Sequence, residues 1–351
     1  MSTQITIKQI AEMAGVSRGS VDRVLHKRGN VSSVIKEKIE KVLQEINYKP
    51  NISASLLALN NTYKIIIIIP KADDDTYWDL PAQGIKEGAQ SVNHYPIKLE
   101  WLLFTTESLV SFKKVLTKAL ALDPDAILLA PIHKKESQQF IQEVNRKLIP
   151  IITINTQLGD GSTVPYIGQD SMQSGIIAGR LFELLLPGIK NILIVNLGTN
   201  SHNAQHVVNK ESGLKLFFAN KGKVNIETIE IDNYDDINQV KGLLSNRLDR
   251  IQGIFVTNSR AYKLVNAIGA SIQKHDIKLI GYDLIKPNVH LLKDGAISFL
   301  LNQNPKQQGL KAINMLIQKL LFKQELPTQS HLTIDIVMKE NCDYFFESKP
   351  D

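Results

Sequence analysis

Carboxylates, carboxamides and an indole recur where the apolar runs of this chain end. Asp73, Asp74, Asp75, Tyr77 and Trp78 follow Ile65–Ile69, and His133 follows Ala126–Ala130. Asn155, Thr156 and Gln157 follow Pro150–Ile154, and Gln169 with Asp170 follows Val164–Ile167. Thr199 and Asn200 follow Ile192–Leu197, Asn258 and Ser259 follow Gly253–Thr257, Asp283 follows Lys278–Tyr282, and Gln303 follows Ile297–Leu301. Paired donors and acceptors of this kind suit the hydroxyls of a polyhydroxylated ligand, and an aromatic face suits the C–H side of a ring. Singly, each is unremarkable: Asp170 or Ser259 can cap a helix, and three consecutive aspartates make an ordinary solvated loop. Repetition across strand ends points to one shared site.

Residues 6–30, TIKQIAEMAGVSRGSVDRVLHKRGN, carry a different chemistry. Thr6 and Gln9 fit a capping box, and Ile7, Ile10, Ala11 and Ala14 fall on one helical face. Gly15 suits the left-handed end of that helix, and Val16 plugs the turn. Ser17 then caps a second helix with Val21, Val24 and Leu25 inward. Arg18, Gly19, Ser20, Asp22 and Arg23 are left outward, with Arg18, Gly19 and Ser20 in the first turn. In a helix-turn-helix, that turn enters the DNA major groove. A third helix, capped by Ser32 or Ser33, would place Ile35, Ile39, Val42, Leu43 and Ile46 inward.

The elements that must hold these groups are legible in the hydrophobic pattern. From Lys64 onward, near-continuous Ile/Leu/Val runs alternate with helical segments, including Ile97–Phe104 and Ile226–Ile231 in addition to the runs above. Such alternation means parallel sheet covered on both faces. The runs are many for one sheet, and the polar break at Gly159–Thr163 divides them into two lobes. Ligands in such sheets sit beyond the carboxyl ends of the strands. No strand leads into a G-x-G-x-x-G or a P-loop, so neither a dinucleotide nor a nucleoside triphosphate is favoured, and no cofactor is expected.

Charge and length agree with this division. The chain has 351 residues and a net charge of +6, with 43% apolar and 22% charged residues, as in ordinary soluble proteins. Residues 1–50 hold nine Lys/Arg against five acids, so +4 of the excess lies in that short stretch, as expected of a part that meets phosphates. The single cysteine, Cys342, excludes internal disulfides and any cysteine-built zinc site. Residues 1–30 lack an apolar core of signal-peptide length, and the most hydrophobic run, Ile65–Ile69, is far below the roughly twenty residues of a membrane span. A cytoplasmic protein without a membrane partner is expected.

Residues 5–60 resemble the DNA-binding headpiece of the LacI/GalR family of bacterial regulators. The matching pieces are T-I-K-Q-I-A-E-M-A-G-V-S, V-D-R-V-L, N-V-S, and I-N-Y-K-P-N followed by A-x-x-L. The resemblance implies that Arg18 and Gly19 occupy the base-choosing pair of positions, that Arg23 lies near DNA, and that Asn30 sits in a loop closing on phosphate. Arginine suits the O6 and N7 acceptors of guanine. Gly19 departs from the pattern by offering no side chain, and Asp22 is tolerable beside phosphates if it accepts from cytosine N4 or braces Arg23. By the same resemblance, residues 51–62 form a hinge whose Leu57, with Leu56 as a neighbouring candidate, enters and kinks the minor groove of a palindromic operator bound by a homodimer.

The remainder, residues 63–351, is similar to the periplasmic-binding-protein-like effector domain of the same regulators, on D-P-D-A-I-L-L-A-P at 123–131, I-G-Q-D-S-M-Q-S-G at 167–175, G-Y-D at 281–283 and Q-N-P-K-Q-Q-G at 303–309. The implied fold is an all-α helix-turn-helix headpiece, residues 1–50, followed by two doubly wound parallel-sheet lobes. Asp75, Tyr77, Trp78, Asn155, Asp170, Lys210, Asn258, Asp283 and Gln303 then stand as effector-binding residues. Lys210 replaces the usual arginine and loses its two-pronged grip on vicinal hydroxyls; Ser259 replaces the usual aspartate.

The expectation is a dimeric transcriptional repressor released from its operator by a small sugar-like effector. One alternative is the same architecture with a purine or nucleoside co-repressor, which would want aromatic clamps on both sides of the cleft where Tyr77/Trp78 supply one. Another is a sugar-binding protein of transport or chemoreception, which would want an export signal and no headpiece. Catalysis lacks support: His202 and His206 have metal-ligand spacing, but H-N-A-Q-H holds no general base and no third ligand is evident. No metal site and no enzymatic activity are expected.

Overall fold

The structure, a computed structural model, describes residues 5–25, 29, 31–46, 62–72, 76–159, 162–198 and 204–346. Asn30, Leu56, Leu57 and Asp75, named above, lie outside these residues, as do Asp73, Asp74, Thr199, Asn200 and His202. The chain divides into two units, Met1–Asn61 and Thr62–Asp351.

In the first unit, α1 (Ile7–Ala14), α2 (Arg18–Leu25) and α3 (Ser33–Glu45) close around Ile10, Ala11, Ala14, Val21, Ile39 and Val42. The capping box at Thr6 is complete: Gln9 N donates to Thr6 Oγ1 at 3.3 Å, and Thr6 N donates to Gln9 Oε1 at 2.8 Å. Gly15 ends α1 at φ 62°, where a side chain is disfavoured, and Val16 N returns to Ala11 O at 3.0 Å. Ser17 caps α2 through Ser20 N, 3.1 Å from its Oγ. Such a core is small, so each cap, worth about 1 kcal/mol, is a large share of its stability.

The second unit begins β1 (Tyr63–Pro70), α4 (Asp79–Gln90), β2 (Ile97–Phe104), α5 (Leu109–Ala121), β3 (Ala126–Leu129), α6 (Lys134–Arg146), β4 (Ile151–Ile154) and β5 (Tyr166–Gly168). It continues α7 (Ser171–Leu185), β6 (Asn191–Leu197), α8 (Gln205–Phe218), β7 (Asn225–Ile231), α9 (Ile237–Leu244), β8 (Gly253–Val256), α10 (Ala261–Lys274), β9 (Lys278–Tyr282), α11 (Lys286–Lys293) and β10 (Phe299–Asn302). It ends with α12 (Pro305–Phe322), β11 (Gln329–His331) and β12 (Asp335–Val337).

Two six-stranded sheets result, ordered β11-β5-β4-β3-β1-β2 and β12-β10-β9-β8-β6-β7. All described pairings are parallel except β10 with β12. Ile65 to Ile69 are all essentially inaccessible to solvent, which requires helices on both faces of the first sheet. The ten runs read from the sequence are strands. The lobe boundary differs from expectation: β5, beyond the Gly159–Thr163 break, still pairs with β4 in the first sheet. That break is only the loop joining two neighbouring strands. The chain instead crosses between lobes after β5, after β10 and after β11. The crossings are tied together by carboxamides. Gln169 Nε2 donates to Asn302 O at 2.6 Å and to Thr333 O at 3.3 Å, and Asn304 Nδ2 donates to Asp335 Oδ2 at 2.8 Å. Gln169 is therefore part of the crossing between the lobes.

Each lobe has a helix supplied across a crossing. In the second lobe, α7 lies directly on α8 because Gly175 and Gly213 lack side chains. A Cβ on Gly175 would come 2.0 Å from Lys210 O, and one on Gly213 would come 2.0 Å from Met172 O. That approach holds the backbone of Lys210 directly against α7.

Candidate functional site

The two lobes face each other across a cavity of about 590 Å³, partly open to solvent and lined by residues of both. Sheet order makes β4 of the first lobe the counterpart of β9 of the second, each third in its series. The residue after each strand, Asn155 and Asp283, has the same left-handed φ of 67°. Non-glycine residues adopt it sparingly, Asn and Asp most readily, and here it turns a polar side chain up from each strand end.

In the first lobe, Asn155 Nδ2 donates to Tyr77 Oη at 2.5 Å, and Tyr77 meets Trp78 edge-on with ring centroids 5.1 Å apart. Both rings are almost wholly buried. Tyr166 Oη, donating to Asn155 O at 3.3 Å and Gln169 O at 2.9 Å, holds the strand end from below. Burial first and Asp170 second raise the Tyr166 phenol, keeping it a neutral donor.

In the second lobe a chain of donors runs inward from Lys210. Its Nζ donates to Thr257 O at 2.9 Å and Gln303 Oε1 at 3.3 Å, and lies 3.5 Å from the Tyr282 ring centre. Gln303 Nε2 in turn donates to Asp283 Oδ2 at 2.8 Å, so the cation and carboxylate fix which way the amide points. Lys210 is 1% exposed and Asp283 0%. Burial pulls the Lys210 ammonium below the usual lysine range, and Asp283 opposes that pull. Tyr282 Oη and Ser174 Oγ are 2.7 Å apart, and burial raises that phenol strongly.

Asn258 is spent largely on structure: Nδ2 donates to Leu197 O at 2.7 Å, and Oδ1 accepts from Arg260 N at 3.1 Å. It nonetheless lines the cavity with Tyr77, Trp78, Asn155, Lys210, Asp283 and Gln303. Asp170 does not; its Oδ1 accepts from Gln173 N at 2.9 Å and caps α7. The structural role available to any polar residue after a strand is the one observed there.

Sequence reasoning named Thr156 and His206 but not their part in joining the lobes, and it did not name the other residues that do so. Lys134 Nζ of α6 donates to Gln205 Oε1 of α8 at 2.7 Å, and Thr156 Oγ1 lies 3.0 Å from His206 Nδ1. Tyr234 Oη donates to Glu107 Oε1 at 3.4 Å, and Arg260 Nη2 stands 4.0 Å from the same carboxylate. Burial, then Lys210, pushes His206 down to about 3, so it is neutral and can take one proton-sharing partner. No cluster of three metal-ligating residues exists among the described residues. A signal for this role of His206 was its i, i+4 relation to Lys210, which puts both on one face of α8.

In the first unit, Arg18, Gly19 and Arg23 are exposed, and Ser20 and Asp22 are half-buried. Ser17 is exposed but engaged in the cap, as is Thr6 at α1. A Cβ on Gly19 would meet nothing closer than 3.8 Å, so the missing side chain is not enforced by packing.

A helix-turn-helix on one chain with a two-lobed parallel-sheet core defines a class: DNA-binding transcription regulators with a periplasmic-binding-protein-like module. Comparison with known proteins agrees. Residues 65–324 match the periplasmic binding protein domain, and residues 6–51 match bacterial regulatory proteins of the lacI family. The chain is 25% identical over 300 residues to the HTH-type transcriptional regulator MalR of Streptococcus pneumoniae, covering 82% of this chain and 86% of that one. It is 24% identical over 341 residues to the ribose operon repressor of Lactococcus lactis, covering 95% and 97%. A Bacteroides fragilis crystal structure assigned to the LacI transcriptional regulators superposes with a TM-score of 0.75 at 26% identity, covering 82% of this chain and all of that one. This chain belongs to the LacI family of bacterial transcriptional regulators. Its family is regulatory rather than enzymatic, and among the described residues no helix is long and apolar enough to cross a membrane.

Proposed function

We propose that the protein is a repressor whose operator affinity is set by a small sugar-like effector held in the cavity between its lobes. The observation that carries this reading is the cavity itself. It has the size of a mono- or disaccharide site, with the Tyr77/Trp78 pair in one lobe and the Lys210–Gln303–Asp283 chain in the other. An aromatic face and fixed amide and carboxylate groups match the C–H and O–H faces of a pyranose or furanose. The names of two relatives, a ribose operon repressor and a sucrose operon repressor, point the same way.

Asn155, Trp78, Asp283 and Gln303 are the proposed effector contacts, with Lys210 holding Gln303 and Asp283 in place. Arg18, with Gly19, Ser20 and Asp22 beside it, would face operator bases; Arg23 and Asn30 would face phosphates; Leu57 or Leu56 would enter the minor groove. A homodimer would set two such heads on the half-sites of a palindrome. Effector and operator are then linked through one equilibrium between two states, each altering affinity for the other by the same factor. A thermal-shift screen of the full-length protein against monosaccharides, disaccharides and purine nucleosides tests the ligand class. A carbohydrate should raise the melting temperature by mass action in the wild type and not in Trp78→Ala. A shift from nucleosides alone would replace the reading.

A further inference from the structure

We infer that His206 is a proton-sensitive latch between the lobes: it joins them as a neutral imidazole, so the closed cleft loosens in acid. The inference concerns how the lobes meet and holds whichever ligand the cavity takes.

Polar side chains tie the lobes together across the cavity. They join Lys134 to Gln205, Glu107 to Tyr234 and Arg260, and Thr156 to His206. Among these groups imidazole alone ordinarily changes charge between pH 5 and 8. Its hydrogen bonding is directional. The hydroxyl of Thr156, just past the end of β4, donates to Asn155 Oδ1 at 3.2 Å, and its oxygen lies 3.0 Å from His206 Nδ1 on α8. With its one proton committed to Asn155, Thr156 accepts from the ring, so Nδ1 carries the hydrogen and Nε2 is bare. Asn155 Nδ2 in turn donates to Tyr77 Oη, which fixes the amide atom that faces Thr156. A run of oriented donors thus crosses from α8 of the second lobe to the aromatic pair of the first.

A second proton, on Nε2, would put a cation into the wall of the closed cleft. His206 lines the cavity one turn before Lys210, whose ammonium repels it. The other charged or titrating groups that line the cavity among the described residues are His133, Lys134, Lys135 and Glu136 around the start of α6, Glu107 with Arg260, and Asp283, which Gln303 joins to Lys210. Burial first, then Lys210, holds the folded imidazole at about 3. Because Thr156 and His206 come from opposite lobes, parting them returns the ring to water and toward its ordinary 6.5. The open cleft then binds one more proton than the closed one below that pH. Between pH 7.5 and 5.0 the closing equilibrium should fall about thirtyfold. Lys210 is buried too, but Thr257, Tyr282 and Gln303 around it sit at strand ends of its own lobe, so its burial does not require closure. Carboxylates, those of Asp73, Asp74, Asp75 and Asp160 included, ordinarily titrate at about 4, below this range.

Trp78 reports on the cleft: it lines the cavity, is 6% exposed, and shares the chain with one other indole, Trp101. The test is acrylamide quenching of the full-length Trp101→Phe protein, without added ligand, in steps from pH 7.5 to 5.0. Quenching should rise as pH falls and stay flat when His206→Asn is added, because asparagine keeps a donor for Thr156 and has no titrating proton. Adding Thr156→Val, which removes the partner across the cleft, should raise quenching already at pH 7.5. Ring-15N NMR at pH 7.5, with His206 assigned by its loss in His206→Asn, should show the Nδ1–H tautomer. A flat profile in the parent, an equal rise in His206→Asn, a rise abolished instead by His133→Asn or His202→Asn, or an Nε2–H ring overturns the inference. Each of these results leaves the sugar reading intact.

Discussion

Replacing Lys210 with methionine isolates the electrostatic logic of the cavity floor. Methionine keeps the unbranched shape and volume, so little of the effect comes from a void. What disappears is the ammonium that bonds Thr257 O and Gln303 Oε1 and offsets the Asp283 carboxylate, itself wholly buried. Removing one member of a buried charge pair costs about 3–5 kcal/mol, against which the relief of not burying an ammonium returns part, so a loss of about 3 kcal/mol is expected. For a unit of this size that is roughly 6–12 °C in melting temperature. The partner substitution decides the mechanism. Asp283→Asn keeps a residue that tolerates the left-handed φ of 67°, and it removes the stranded charge. The double variant should recover more than half of the loss, because an uncharged pair no longer pays for unmatched desolvation. Urea denaturation followed by far-UV circular dichroism gives all four corners of the cycle. A single variant as stable as wild type, or a double variant no better than Lys210→Met, would refute the coupling.

Other perturbations test neighbouring links. His206 is held near 3 in the folded state against 6.5 in the unfolded chain, so the unfolded state binds the extra proton between those values. Stability should therefore fall as pH drops from 6.5 toward 3, and His206→Asn should lose about 2 kcal/mol less than wild type between pH 6.5 and 4.5; equal losses would place the proton elsewhere. Gly175→Ala sets a Cβ 2.0 Å from Lys210 O and should destabilise the second unit by about 2–3 kcal/mol, read as a lower urea midpoint, while Gly222→Ala, with open space around it, should show only its φ strain. Arg18→Ala should cut affinity for a selected operator about ten- to a hundredfold and leave non-specific DNA binding nearly unchanged in gel-shift titrations.

Strand ends were legible because each apolar run is bounded by a polar residue, and ten such runs place ten strands. The missed pair, β11 (QSH) and β12 (DIV), are three residues long and carry no periodicity. They matter because they complete the crossings, and β5 joined the first sheet against expectation for the same reason: lobe membership is a long-range pairing that no local pattern encodes. The headpiece was read almost residue by residue, since caps such as Thr6/Gln9 and Ser17 are local chemistry. At the site, Asn155, Asp283 and Gln303 were visible as strand-end groups, and Asp170 looked the same but caps a helix. Lys134 and Gln205 went unnamed, and Thr156 and His206 were noted only as a strand-end group and a spaced histidine, because their part in joining the lobes arises only when two lobes meet.

The central claim is linkage between cleft occupancy and operator binding. Fluorescence-anisotropy titration of the full-length protein with a duplex selected by it from a random pool, with and without a saturating cleft ligand found by thermal shift, measures that linkage directly. The account predicts that operator affinity changes about 5- to 150-fold, and that saturating operator changes ligand affinity by the same factor. Operator affinity that stays constant while the cleft fills would contradict it.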